Sequence, residues 1–356
     1  MDRVLPDDPS PVEPGIPGLD GSGLPQRVSP VLPEITEPTD LCQANGRLNK
    51  SAVGYSRRPL HRTNLRRWGR NKRWEYWGVV TESHAIGMTI SNLDYLAVNQ
   101  LYVLDRATGE EIVTDVNGVG FTGATLQDAP GPLVARIDGR KLTMEFSDHA
   151  GGTTLTARSD RVELEFEAAL SGDCLAVVVP WDDRRFQYTV KDLARPVTGS
   201  ITVDGQSFDI APGTAFAALD RGRGRWPYSL TWNWAAAAGI VGEDQLGVQL
   251  GGKWTDGTGS TENGLFVNGH LTYWPEPVTW AYNTTDWYQP WRITGEFVDA
   301  VMTPFHVRNS TTNLGVLASD IHQAFGTWSG TAVDGSGQEY SLDGLVGWAE
   351  QAKNRW

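Results

Sequence analysis

"TTLTARSDRVELEFEAAL", residues 153–170, is the stretch on which the fold turns. Its second half alternates without a break. Val162, Leu164 and Phe166 fall on one side of an extended chain, and Glu163, Glu165 and Glu167 on the other. A two-residue period places successive side chains on opposite faces of a strand, so the segment predicts a half-buried antiparallel β-strand. Reading outward, "WEYWGVVTES" (74–83), "AIGMTISNL" (85–93), "LYVLDRATGEEI" (101–112), "LVARIDGRKLTMEFSD" (133–148) and "LAVVVPW" (175–181) are short runs rich in Val, Ile, Thr and aromatics, punctuated by turn residues. No helix-length period separates them, which predicts an all-β sandwich or barrel. A second set follows: the hairpin "GSITVDGQSFDI" (199–210) with Asp204-Gly205 at its turn, then "SLTWNWAAAAG" (229–239), "GLFVNGHLTYW" (264–274) and "WRITGEFVDAVMTPF" (291–305). "RWEYWGVV" and "LTWNWAAAAG" both set alternate aromatics on a strand, a hint that one barrel-like unit is duplicated.

Three segments are expected. Residues 1–40 are Pro-rich and acidic, with eight acids and two bases, and read as a disordered tail. Residues 41–196 form a first β domain with a basic lead-in, and residues 197–356 a second, with the junction near Ala194 to Ser200. The charge is uneven. The net charge is -13, yet residues 41–73 hold ten bases and no acid. "RRWGRNKRWEYWGVV" (66–80) interleaves those bases with aromatics, a pattern shared by nucleic-acid binders and by the rim of a barrel. An acidic chain without an RNA-recognition motif argues against nucleic acid as a partner. The basic lead-in is instead expected to dock on the acidic body and close a barrel, or to line its mouth and attract an anionic ligand.

Two cysteines and six scattered histidines supply no metal-ligand spacing, and neither a Walker-type phosphate loop nor a GxSxG motif is present, so no metal and no cofactor are expected. No secretory signal and no membrane-length apolar run occur, which predicts a cytoplasmic protein without membrane insertion.

Candidate chemistry gathers in four places. Trp74, Tyr76 and Trp77 in the first half, and Trp226, Tyr228, Trp232 and Trp234 in the second, can be core packing or the walls of a pocket for a lipophilic ligand. The glycines of "DRGRGRWPY" (220–228) permit a tight turn, which sets Asp220 near Arg223; Asp220 can act as acid or base, or be the ion-pair partner of that arginine. "GTGSTENG" (257–264) offers Glu262 for proton transfer and Asn263 to orient a substrate. His322 follows Asp320 by two, so on a strand the carboxylate can orient the imidazole.

"LCQANGRLNKSAVGYSRRPLHRTNL" (41–65), "KRWEYWGVV" (72–80), "GRGRWPYSLTWNWA" (222–235), "GTGSTENGLFVNG" (257–269) and "HQAFGTWSG" (322–330) resemble the signature segments of the domain of unknown function 2804 family, from about Leu41 to Trp356. That family is similar to the hydroxyneurosporene-synthase/AttH-like group, which contains carotenoid hydratases and related cyclases. The resemblance implies two lipocalin-like barrels in tandem and draws "DRGRGRWPY" toward a site. Two functions are then weighed. One is an acid–base hydratase, isomerase or cyclase on a lipophilic small molecule, with Glu262, Asp220 and Tyr228 transferring protons, Arg223 and Asn263 orienting, and aromatics as walls. The other is a carrier of a lipophilic ligand, neutral or anionic. Carbohydrate binding is a third. They differ in where the polar groups sit: inside the pocket for an enzyme, at the mouth for a carrier.

Overall fold

Val162, Leu164 and Phe166 are buried and Glu163 and Glu165 exposed on the strand Val162–Ala169, as the alternation requires. The computed structural model describes residues 32–119, 123–313 and 317–355, and these are nearly all β. Val162–Ala169 lies in a first sheet whose main path runs Glu111–Val119, Leu96–Asp105, His84–Asn92, Asn71–Val80, Phe216–Arg225, Phe186–Val203, Val162–Ala169, Gly152–Arg158, Thr143–His149, Val134–Asp138 and Thr125–Leu126. A second sheet runs His270–Trp274, Asn263–Val267, Asp244–Gly252, Ser229–Val241, Val346–Arg355, Ala318–Val333, Val298–Asn313, Trp291–Thr294 and Thr279–Ala281. Neighbours along both paths are antiparallel. The result is two curved half-barrels in tandem, the lipocalin-like arrangement.

Curvature in the first sheet comes from one long strand. Phe186–Val203 pairs with Phe216–Arg225 through its first part and with Val162–Ala169 through its second. Between them, Asp192 to Arg195 spans one residue more than the facing Leu219 to Ala217, and Ala194 takes a φ of 54°. An extra residue on one strand bends it and increases its twist.

Each half-barrel closes on its own apolar core. Trp77, Met88, Phe146, Phe166 and Leu219 belong to the first, and Val248, Trp274, Trp291, Met302 and Trp328 to the second. A third cluster joins the sheets through Tyr102, Val177, Trp234, Phe266, Phe325 and Trp348. There an indole packs directly on backbone: a Cβ on Gly78 would meet the Trp348 ring at 2.4 Å.

Two expected boundaries are corrected. The Ala194 to Ser200 junction lies inside the strand Phe186–Val203, because the hairpin that follows pairs back onto that strand; the chain changes sheets at Trp226–Tyr228. Within the expected tail, residues 1–31 lie outside the described residues, but residues 32–40 are part of the fold. Leu32 is buried, Ile35 N–H bonds to the Tyr55 carbonyl, and Thr39–Asp40 forms a short parallel pairing with His61–Arg62. The Pro and acid content that suggested disorder is compatible with edge pairing, since acids at 34 and 40 meet arginines of the lead-in.

Phe166→Ala is expected to cost about 3–5 kcal/mol and Glu165→Ala under about 0.5 kcal/mol, because only the first leaves a cavity in a packed core. Urea midpoints of the two variants check this.

Candidate active site

Strand parity determines what faces what. On Asn71–Val80, Lys72, Trp74 and Tyr76 look toward the second sheet, while Glu75 and Trp77 look into the first half-barrel. Between the sheets lies a cavity of about 480 Å³. Trp74, Tyr76, Trp226, Trp232, Trp234 and Trp254 form much of its aromatic wall. Both halves build it; it is not inside either barrel.

Four charged groups meet at its inner end. Lys191, on Phe186–Val203, lies 3.1 Å from Asp220 and 3.4 Å from Glu262, with its ammonium 4.3 Å from the centre of the Trp234 ring. Glu350, on Val346–Arg355, is the third acid of this end. Each acid accepts an indole N–H: Trp74 donates to Asp220 at 3.2 Å, Trp254 to Glu262 at 2.7 Å and Trp232 to Glu350 at 3.0 Å. Thr189 donates to the other Asp220 oxygen and Gln323 to the other Glu350 oxygen. Glu262 Oε2 differs. Apart from the Lys191 ion pair, it receives no hydrogen bond from the described residues.

Burial governs the protonation of this cluster. Removal from water pushes the Glu262 carboxyl up to about 7, against the pull of Lys191, and Asp220 adds to the rise. Burial likewise pushes Glu350 up to about 7. For Lys191 burial works against the charge, but Asp220 and Glu262 outweigh it and hold the ammonium above its usual value. The site thus combines a lysine that stays cationic with two carboxyls that exchange protons near neutrality.

The structure places Trp74, Tyr76, Trp226, Trp232, Trp234, Asp220 and Glu262 at the cavity, but five other expected site residues elsewhere. Arg223 is fully buried on the opposite face from Asp220, paired with Glu75 at 3.1 Å, because "DRGRGR" is strand and not turn, and residues three apart on a strand face opposite ways. The ion-pair partner of Asp220 is therefore Lys191. Trp77 is in the first core for the same reason of parity. Asn263 uses its side chain on backbone, accepting from Gly251 N–H and donating to the Glu276 carbonyl, and it does not line the cavity. His322 does pair with Asp320 at 3.3 Å, yet it stacks on Trp287 on the face opposite Ile321 and Gln323, which line the cavity. Tyr228 is half-exposed in the sheet-to-sheet crossover and does not line the cavity. Lys191, Glu350, Gln323 and Trp254 were missed. For Lys191, Glu350 and Gln323 the one signal is a charged or polar residue on a strand otherwise apolar or Trp-rich, as in "YTVKDLA" (188–194) and "GWAEQA" (347–352); Trp254 sits in a turn and has none.

Among the described residues no three His, Cys, Asp or Glu side chains are grouped to hold a metal ion, and no helix is long and apolar enough to cross a membrane. The family model for the domain of unknown function DUF2804 matches residues 33–356. The chain belongs to that family. The DUF2804 fold is shared with solved structures of low identity. An AttH-like protein from Nitrosomonas europaea aligns with a TM-score of 0.50 at 16% identity, over 79% of this chain and 92% of its own. CghA, solved with Sch210972, gives 0.51 at 12% identity over 80% and 88%. Kievitone hydratase from Nectria haematococca gives 0.49 at 11% identity over 90% and 97%. No curated protein matches this DUF2804 chain by sequence.

A pH signature follows from the buried acids. Glu262 and Glu350 stay protonated in the fold to about 7, whereas a free glutamate ionises near 4.5. Their contribution to stability is therefore full below the unfolded value and lost as pH rises through the folded one. Glu262→Gln and Glu350→Gln together should raise the melting temperature, relative to the parent, more at about pH 8 than at about pH 5. Thermal melts across that range check the sign.

Proposed function

We propose that the cavity between the sheets is the active site of an acid–base enzyme of hydratase, isomerase or cyclase type, acting on a lipophilic small molecule. The observation that carries this is Glu262: a buried carboxyl lining an aromatic cavity, with a pKa near 7 and one oxygen free of hydrogen bonds from the described residues. A carboxyl balanced between its two forms near neutral pH is suited both to giving and to taking a proton. Protonated, Glu262 donates to a substrate atom. Glu350, raised to the same range on the second sheet, supplies the complementary base. In a hydration, Glu262 adds a proton to one end of a double bond, water bonds to the other, and the spare water proton passes to Glu350. In an isomerisation no water adds: Glu262 gives a proton to one carbon of the double bond, Glu350 takes one from a neighbouring carbon, and the double bond moves. Lys191 keeps its positive charge at the side of Glu262, where it stabilises the carboxylate left after donation. Trp74, Tyr76, Trp232 and Trp234 give the substrate apolar contact area.

The position of the acids favours this reading over a carrier. A carrier needs polar groups only at the rim, yet Glu262, Asp220 and Glu350 are all buried, Glu262 almost completely. CghA, of the same fold, has been solved with Sch210972, which fits a small-molecule ligand.

The test uses an apolar extract of the producing cells, incubated with the protein in isotopically heavy water and followed by mass spectrometry. Wild type is expected to convert a component with gain of one water or with proton exchange. Glu262→Gln should slow conversion by about 10²–10⁴-fold, the range for loss of a general acid. A component retained by the protein and released unchanged by wild type and variant alike would leave the carrier reading in its place.

A further inference from the structure

The basic lead-in is paired with the body along part of its length only. Arg47, Arg57, Arg62 and Arg73 form ion pairs with Asp183, with Glu34 and Asp173, with Asp40 and with Asp94. Arg66, Arg67 and Arg70 are different: no carboxylate among the described residues pairs with any of them. They flank Trp68, which is 76% exposed. The loop is held in a defined shape, because Asp94 accepts the N–H groups of Gly69 and Asn71, and Asn71 donates to the Arg67 carbonyl. Asp94 is itself paired with Arg73, so the loop presents three uncompensated guanidinium groups around one exposed indole.

This loop borders the cavity. Lys72 and Trp74, just after it, line the wall, as do Leu93 and Leu96 on either side of Asp94. The strand register brings Asn71 level with Arg225, Leu96 level with Val119, and Ser229 level with Arg355, so the exposed side chains of Val119 and Tyr228 lie at the same end. Aromatic and aliphatic side chains set among arginines, beside the opening of an apolar cavity, form a surface suited to the interface of an anionic bilayer: rings enter the headgroup level and guanidinium groups meet phosphate. Charge complementarity selects this occupant. The protein as a whole is acidic, and the face with unpaired arginines also carries exposed apolar groups.

We propose that the Arg66–Arg70 loop docks the protein on an anionic lipid surface, so that a lipophilic molecule passes from the membrane into the cavity between the sheets. The docking rests on the lipophilic-substrate reading above for its purpose, but is measured without turnover, so the two fail separately. The experiment is sedimentation of the full chain with phosphatidylglycerol-containing vesicles, with pure phosphatidylcholine vesicles, and, in a separate binding assay, with a mixed-sequence single-stranded RNA. Binding to the anionic vesicles alone is expected, weakened by high salt. Replacing Arg66, Arg67 and Arg70 together by Ala should lower it about a hundredfold, as loss of three surface bases implies. Trp68→Ala, a change at an exposed position, should lower it while leaving the melting temperature unchanged. Absence of binding to anionic vesicles, binding that neither variant changes, or binding to RNA in place of vesicles would each overturn the proposal.

Discussion

Lys191 is the point at which the two halves depend on each other chemically. It arises from the first sheet, pairs with Asp220 of that sheet and with Glu262 of the second, and stacks its ammonium against Trp234 of the second. A buried ammonium is costly to desolvate and is tolerated where anions surround it. Here the anions come from both sheets, so the arrangement exists only when the sheets are correctly apposed. The aromatic wall serves the same end. Three of its indoles give their N–H groups to Asp220, Glu262 and Glu350, so the wall that makes the cleft apolar also satisfies part of each carboxyl. The tryptophans therefore set the protonation of the site as well as its shape.

The charge balance of that cluster gives the reading of function its direction. Lys191 is held cationic beside Asp220, while burial raises Glu262 and Glu350 to about 7, and the proposed proton transfer rests on those two for that reason. The fold alone does not choose among chemistries, since the same architecture hosts unrelated activities. It does explain access: edge-strand residues Asp115 and Asn117 are exposed at the cavity, whereas Glu262 is buried at its inner end.

The fold was legible in the sequence because the period-two signal is local. Val162, Leu164 and Phe166 needed no partner to reveal their face. Part of the site was legible too, since Trp74, Tyr76, Asp220, Trp232 and Glu262 stand out by residue type. What could not be read was which face of each strand was which. Trp74 and Trp77 differ in parity, so no single pocket inside a strand's one face holds both. Asp220 and Arg223 looked like neighbours in a glycine-rich turn; the glycines instead make room within a strand, where a Cβ on Gly222 would meet the Trp74 ring at 2.1 Å. Lys191 and Glu350 depend on a contact between strands far apart in sequence, and nothing local marks that contact. The change of sheet at Trp226–Tyr228 was hidden for a similar reason: the hairpin after Ser200 folds back on a strand begun at Phe186.

The contact of Gly78 with Trp348 has a consequence for specificity. An indole lying against a glycine acts as a spacer of fixed thickness between two curved surfaces, and the distance it sets is shared by every group lining the cleft. The spacing of the sheets is thus tied to a pair of residues that carry no charge and take no proton. A bulkier residue at 78 or a slimmer one at 348 would change the gap between the sheets while leaving every acid of the cluster in place, so cleft width and proton chemistry are set by different parts of the sequence.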